Sequence, residues 1–238
     1  MKIKQLFSLL GIALLLMAVF GFSILKNKQR IQFQTQIQFT APTLFLDDSI
    51  VNKLFTQEWD VESLKTKDSL DLNMLENYLE TIPFVERAEV YLLPSGTLGV
   101  LCTERTPLFK IASNTSSYVD RFGVKFPYVE NSSLRLPVFE GMPSEEQLDE
   151  IVQLVEGLNE DGFMSKEVTQ ISLENNQKDY QLRLKTFDFK VILGGSDQLE
   201  EKIKKLKVFC AYQKVQDSLT GYPSINLKFK NQVVALRP

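Results

Sequence analysis

From residue 6 to residue 25 the chain is apolar at 16 of 20 positions, and only Ser8, Gly11, Gly21 and Ser23 interrupt it. At 1.5 Å of rise per residue, such a helix spans roughly 30 Å, the thickness of a bilayer's hydrocarbon core. The run exceeds the apolar core of a cleaved signal peptide, and Gly21-Phe22-Ser23 is a poor cleavage site. The pattern therefore predicts one uncleaved membrane-spanning helix, with Leu6, Leu10, Leu15, Phe20 and Leu25 as anchor residues. Positive charges are equal on its two sides, so charge leaves the orientation open.

Beyond this run the period changes. Residues 30–39, RIQFQTQIQF, alternate apolar and polar positions, as an extended strand or stalk does. Asp47 can cap a short helix carrying Ile50, Val51, Leu54 and Phe55, and residues 56–69 read as a polar loop. Asp71 can cap a second helix, with Leu72, Leu75, Tyr78 and Leu79 on one face, which Pro83 ends. Residues 85–93 and 97–104 follow as two strands joined by Pro94-Ser95-Gly96. A second region holds an amphipathic helix over 144–158, with Leu148, Ile151, Val152, Val155 and Leu158 inward. Strands are predicted over 169–173, 180–186 and 189–193, then a helix over 198–215, then a hairpin of 225–229 with 233–236.

Composition narrows the chemistry. The net charge is −3, from 27 basic and 30 acidic residues, which does not suit a nucleic-acid binder. There is no histidine, so imidazole catalysis and His-ligated metal are excluded. Two cysteines, Cys102 and Cys210, are too few for a zinc cluster and read as small buried hydrophobes. The carboxylates Glu145, Glu146, Asp149 and Glu150 read as the solvated first turns of a helix. No catalytic residue, metal or cofactor is expected.

The block from Leu70 to Ile111 carries Ile82-Pro83-Phe84-Val85, Ala88-Glu89-Val90, Pro94 and Glu104-Arg105-Thr106-Pro107. Val119-Asp120 with Gly123, Leu136-Pro137 with Gly141, Leu193-Gly194 and Ile225-Asn226-Leu227-Lys228-Phe229 then follow in order. In order and spacing these segments resemble the bacterial cell-division family FtsQ/DivIB. The likeness departs at Phe84, where the family usually has Trp.

The resemblance implies an α+β protein. A stub (1–5) and a transmembrane helix (6–25) would precede a stalk with a polypeptide-transport-associated (POTRA) domain (26–107) and a mixed β-sheet domain with two helices (108–238). It implies a non-enzymatic scaffold of the inner membrane with a periplasmic bulk, enriched at the septum. Its partners would be division proteins of the FtsB/DivIC and FtsL type, besides the bilayer at the anchor, with no nucleic acid and no small-molecule substrate. By match, Lys228, Phe229, Val233, Val234, Ala235 and Leu236 would bind the partner, through strand addition at a sheet edge. The alternative is a POTRA-bearing chaperone or transport component for outer-membrane proteins.

Overall fold

A computed structural model describes residues 3–28, 35–58, 71–113, 115–131, 133–174, 178–215 and 221–236. The chain forms two compact units, Met1–Arg105 and Thr106–Pro238, each with its own apolar core. The secondary structure is α+β with mixed sheets.

The first unit begins with helix α1 (Ile3–Lys28). Here the expectation of a transmembrane helix is corrected: among the described residues, no helix is long and apolar enough to cross a membrane. Leu10, Leu15 and Phe20 are exposed on α1, while the side chains of Leu6 and Leu25 lie outside the described set.

Strand β1 (Thr35–Phe39), helices α2 (Asp48–Glu58) and α3 (Leu72–Glu80), and strands β2 (Val85–Leu92) and β3 (Leu98–Glu104) complete this unit. Residues 30–34 of the predicted stalk, and 59–69 of the predicted loop, lie outside the described residues. The sheet order is β1-β3-β2, with β1 parallel and β2 antiparallel to β3. Asp71 caps α3 by accepting from the Met74 N–H at 3.2 Å, and Leu75 and Leu79 are buried against the sheet with Val85, Val90 and Val100.

The Glu104-Arg105 pair joins these elements. The Glu104 carboxylate accepts from the backbone N–H groups of Leu44, Phe45 and Leu46 at 2.6, 2.9 and 2.7 Å. Arg105 donates to the carbonyls of Pro83 at 3.1 Å and Val85 at 2.9 Å. Glu104 thus satisfies N–H groups of a segment outside the sheet, and Arg105 holds the carbonyls at the start of β2. Two further carboxylates act on β2, an edge strand. Glu76 and Glu80 of α3 accept from the N–H groups of Val90 at 2.8 Å and Ala88 at 3.2 Å.

The second unit contains β4 (Pro107–Ala112), β5 (Ser117–Asp120), β6 (Lys125–Pro127), β7 (Val138–Glu140), α4 (Glu145–Glu160), α5 (Met164–Glu167), β8 (Val168–Leu173) and β9 (Tyr180–Leu184). It continues with β10 (Lys190–Gly194), α6 (Leu199–Val215), β11 (Ser224–Asn226) and β12 (Val234–Leu236). These strands form one sheet in the order β12-β11-β10-β9-β8-β7-β4-β5-β6. The pairs β4–β7, β7–β8 and β10–β11 are parallel. Parallel neighbours need long crossovers, and α4 with α5, and α6, supply those of β7–β8 and β10–β11.

Helix α4 starts at a capping box, with Ser144 and Gln147 bonded to each other's backbone N–H groups. Leu148, Ile151, Val152, Val155 and Leu158 are buried, as their spacing predicts, and Leu154 joins them. The core also takes in Leu182, Val191 and Leu193 from the sheet and Ile203, Leu206 and Cys210 from α6. At the β5–β6 turn, Asp120 is fully buried and accepts from the N–H groups of Phe122 and Val124 at 2.9 and 2.8 Å. Gly123 in this turn has φ +77, which a side chain would strain. The Val119-Asp120…Gly123 motif is therefore a turn.

Candidate interaction edge

The sheet of the second unit ends in β12 on one side and β6 on the other. Among the described residues, β12 has β11 as its one neighbour. The ladder is antiparallel and sets Ser224 opposite Leu236, Ile225 opposite Ala235 and Asn226 opposite Val234. The outward side of a three-residue strand carries backbone N–H and C=O groups that no sheet neighbour takes.

The two edges differ in composition. Strand β6 ends in Pro127, which has no N–H, and begins with the exposed Lys125. Both features blunt an edge. Strand β12 consists of Val234, Ala235 and Leu236, with neither proline nor charge. Val233, Val234 and Ala235 are half-buried, and Leu236 and Phe229 are exposed at 42% and 46%.

The structure separates the predicted site residues into two groups. Val234, Ala235 and Leu236 lie on the edge strand, with Val233 just before it. Lys228 and Phe229 do not lie on a strand, because β11 ends at Asn226 and the chain bends over residues 227–233. The bend has local causes. The Asn226 side-chain oxygen accepts from the Lys228 N–H at 2.9 Å, and Asn231 adopts φ +59, a left-handed conformation that Asn tolerates.

Three ties fix the bend to the sheet and to α6. The Leu227 N–H donates to the Ile192 carbonyl at 2.9 Å, extending the β10–β11 pairing. Lys205 Nζ, on α6, donates to the carbonyls of Leu227 at 3.3 Å and Phe229 at 2.9 Å. Lys228 Nζ lies 2.7 Å from Asp179 Oδ2, in the β8–β9 connection. Hydrogen bonding to the Asp179 carboxylate holds the Lys228 ammonium above its usual pKa. The Lys228 stem covers Gly194, where an added Cβ would lie 2.8 Å from Lys228 Cγ. Lys205 and Asp179 are absent from the sequence prediction, since their roles depend on tertiary placement alone.

An open groove of about 480 Å³ is lined by Glu146, Glu150, Lys178, Tyr180, Ser196 and Asp197 among others. The Tyr180 hydroxyl lies 3.4 Å from Glu150 Oε2. Burial first, and the Glu150 charge second, push the phenol up to about 12, so it is a weak acid there. The acidic side chains Glu145, Glu146, Asp149 and Glu150 are exposed along α4, and the first two complement the positive end of the helix. No group of three or more His, Cys, Asp or Glu side chains among the described residues is placed to hold a metal ion. Cys102 and Cys210 are buried free thiols. Burial raises them to about 11 and about 12, with the charges of Glu104 and Glu167 adding to each in turn.

A mixed sheet with an apolar edge strand, packed with helices, defines a domain of the α+β class. Its particular family follows from comparison. A family model described as FtsQ/DivIB, C-terminal related, matches residues 106–236, and the chain belongs to that FtsQ/DivIB family of cell-division proteins. No curated protein matches the chain.

Proposed function

We propose that this chain is a non-enzymatic scaffold of the bacterial division machinery, and that β12 is the edge on which a partner of the FtsB/DivIC type, with FtsL, docks by strand addition. Family membership supports a role in cell division. The observation that carries the finer reading is the contrast between the two edges of the second unit's sheet. Strand β6 is blunted by Pro127 and Lys125, whereas β12 is apolar and open; in the first unit's sheet, Glu76 and Glu80 take the N–H groups of Val90 and Ala88 on β2. A partner strand laid against Val234–Leu236 gains main-chain hydrogen bonds, and the exposed Leu236 and Phe229 add apolar contact.

The first unit is proposed to be the POTRA domain. The occupied β2 edge argues against a chaperone that would take client strands there. The test is capture of the purified FtsB/DivIC-type protein of the same genome by wild type, Val234→Pro and a truncation before Gln232. Proline removes an N–H and disturbs a strand edge. Capture is expected to fall at least about tenfold in both variants, the loss of roughly one hydrogen bond to a few. A truncated protein that stays folded and binds like wild type would place the docking edge elsewhere.

A further inference from the structure

We infer that Lys228 is not a partner contact but half of a latch: with Asp179, and with Lys205 as a second clamp, it holds the 227–233 bend so that β12 is presented in one register to an incoming strand. This inference rests on the proposed docking at β12.

The argument begins with how little else holds β12. The strand has three residues, two half-buried and one exposed, and among the described residues its ladder joins it to β11 alone. Apolar burial, at roughly 25 cal/mol per Å², gives a short strand of this kind little hold on its own. The position of β12 is therefore governed by the bend before it, and that bend is held by polar ties from three separate elements. Asp179 comes from the β8–β9 connection, Lys205 from α6 and the Ile192 carbonyl from β10. The Asp179 side chain is 13% exposed, against 44% for Lys228. The carboxylate is thus fixed in the body of the unit, and the ammonium reaches to it from the bend. Gly194 makes room for this reach, with φ +78 and no Cβ under the Lys228 stem. The Leu193-Gly194 and Leu227-Lys228 segments are far apart in sequence and meet at this point.

A strand that is already ordered binds without the entropy cost of ordering, so a latch raises affinity without touching the partner. A direct contact makes the opposite demand, because Lys228 would have to leave Asp179 to meet an acidic partner group. The two roles therefore separate under mutation.

The full-length chain is compared as wild type, Asp179→Asn, Lys228→Gln, the double variant and the charge-exchanged pair Asp179→Lys with Lys228→Glu. Affinity for the purified FtsB/DivIC-type protein is measured beside hydrogen exchange of the Val234–Leu236 amides without partner. For a latch, both single variants bind about tenfold more weakly. The double variant is no worse than either, as expected for one coupled pair. The exchanged pair recovers binding, and amide exchange follows the same order. If Asp179→Asn leaves binding intact or strengthens it while Lys228→Gln weakens it, and the exchanged pair stays weak, Lys228 contacts the partner and the latch is wrong. Unchanged binding in every variant, with the truncation before Gln232 still abolishing capture, overturns the latch and spares the docking edge. Capture by the truncation itself overturns both. Should a single variant fail to fold, the exchanged pair alone decides: recovered binding supports the latch, and a folded but non-binding pair refutes it.

Discussion

At the scale of residues, Glu104 and Arg105 act on the backbone around them. Glu104 gathers three backbone N–H groups and Arg105 two carbonyls, which gives the Glu104-Arg105-Thr106-Pro107 motif a physical reason. Glu104→Ala strands those donors, and charge-assisted bonds of this kind are worth about 1.5–3 kcal/mol each before water repairs the exposed ones. A loss of about 2 kcal/mol in chemical denaturation of the first unit is expected, with the second unit unchanged. The two thiols give a pH dependence. A folded-state pKa of about 11 for Cys102 and about 12 for Cys210 exceeds the unfolded value near 9. Between those values the folded chain keeps a proton that the unfolded chain has lost, so the contribution is complete below about pH 9 and declines as pH rises toward 11 or 12. Melting temperature is expected to fall through this window, and to fall less steeply in Cys102→Ala/Cys210→Ala. An equal slope in the double variant would show that other groups set the alkaline limit.

Among elements, the edge strands divide by what covers them. The helix α3 protects β2 with two carboxylates rather than with another strand. Glu76→Ala/Glu80→Ala frees the N–H groups of Ala88 and Val90, and an uncovered edge invites pairing between chains. Sedimentation is expected to show stronger concentration-dependent self-association than wild type, with about 1–3 kcal/mol lost from the first unit. Elements also show what was legible in the sequence. Helix α4 was readable to its buried face, because Ser144-x-x-Gln147 and the apolar period are local signals. Strand β11 was read too long, to Phe229, because the alternation of Ile225, Leu227 and Phe229 imitates a strand, while Asn226 and Asn231 turn the chain. The six-residue β4 and the three-residue β6 are not legible as strands, since Pro107 and Pro127 disguise them. The apolar run at 6–25 was read as an anchor, and no described helix has the length and hydropathy for one.

For the whole molecule, the family and the α+β mixed-sheet architecture are legible from short motifs in order, the expected membrane span is not found, and the ties around the candidate edge are not legible. Asp179 and Lys228 are 49 positions apart, and no periodicity links them. The β11–β12 ribbon has a mechanical consequence as well. Its sheet pairing to the rest of the second unit runs through Lys190, Val191 and Ile192 of β10, in one parallel ladder. A partner pulling on β12 loads this short seam, with Lys205 and the Lys228–Asp179 pair sharing the strain, before it loads the long β8–β9–β10 sheet. Single-molecule extension from residue 236 is therefore expected to release the ribbon first, as a small step at low force, and the remaining strands later. Weakening the seam with Asp179→Asn should lower the first force and leave the second unchanged. Under the proposed docking at β12, the end of the sheet is a breakaway coupling: the attachment is expected to yield under tension while the body of the unit stays folded to receive the partner again.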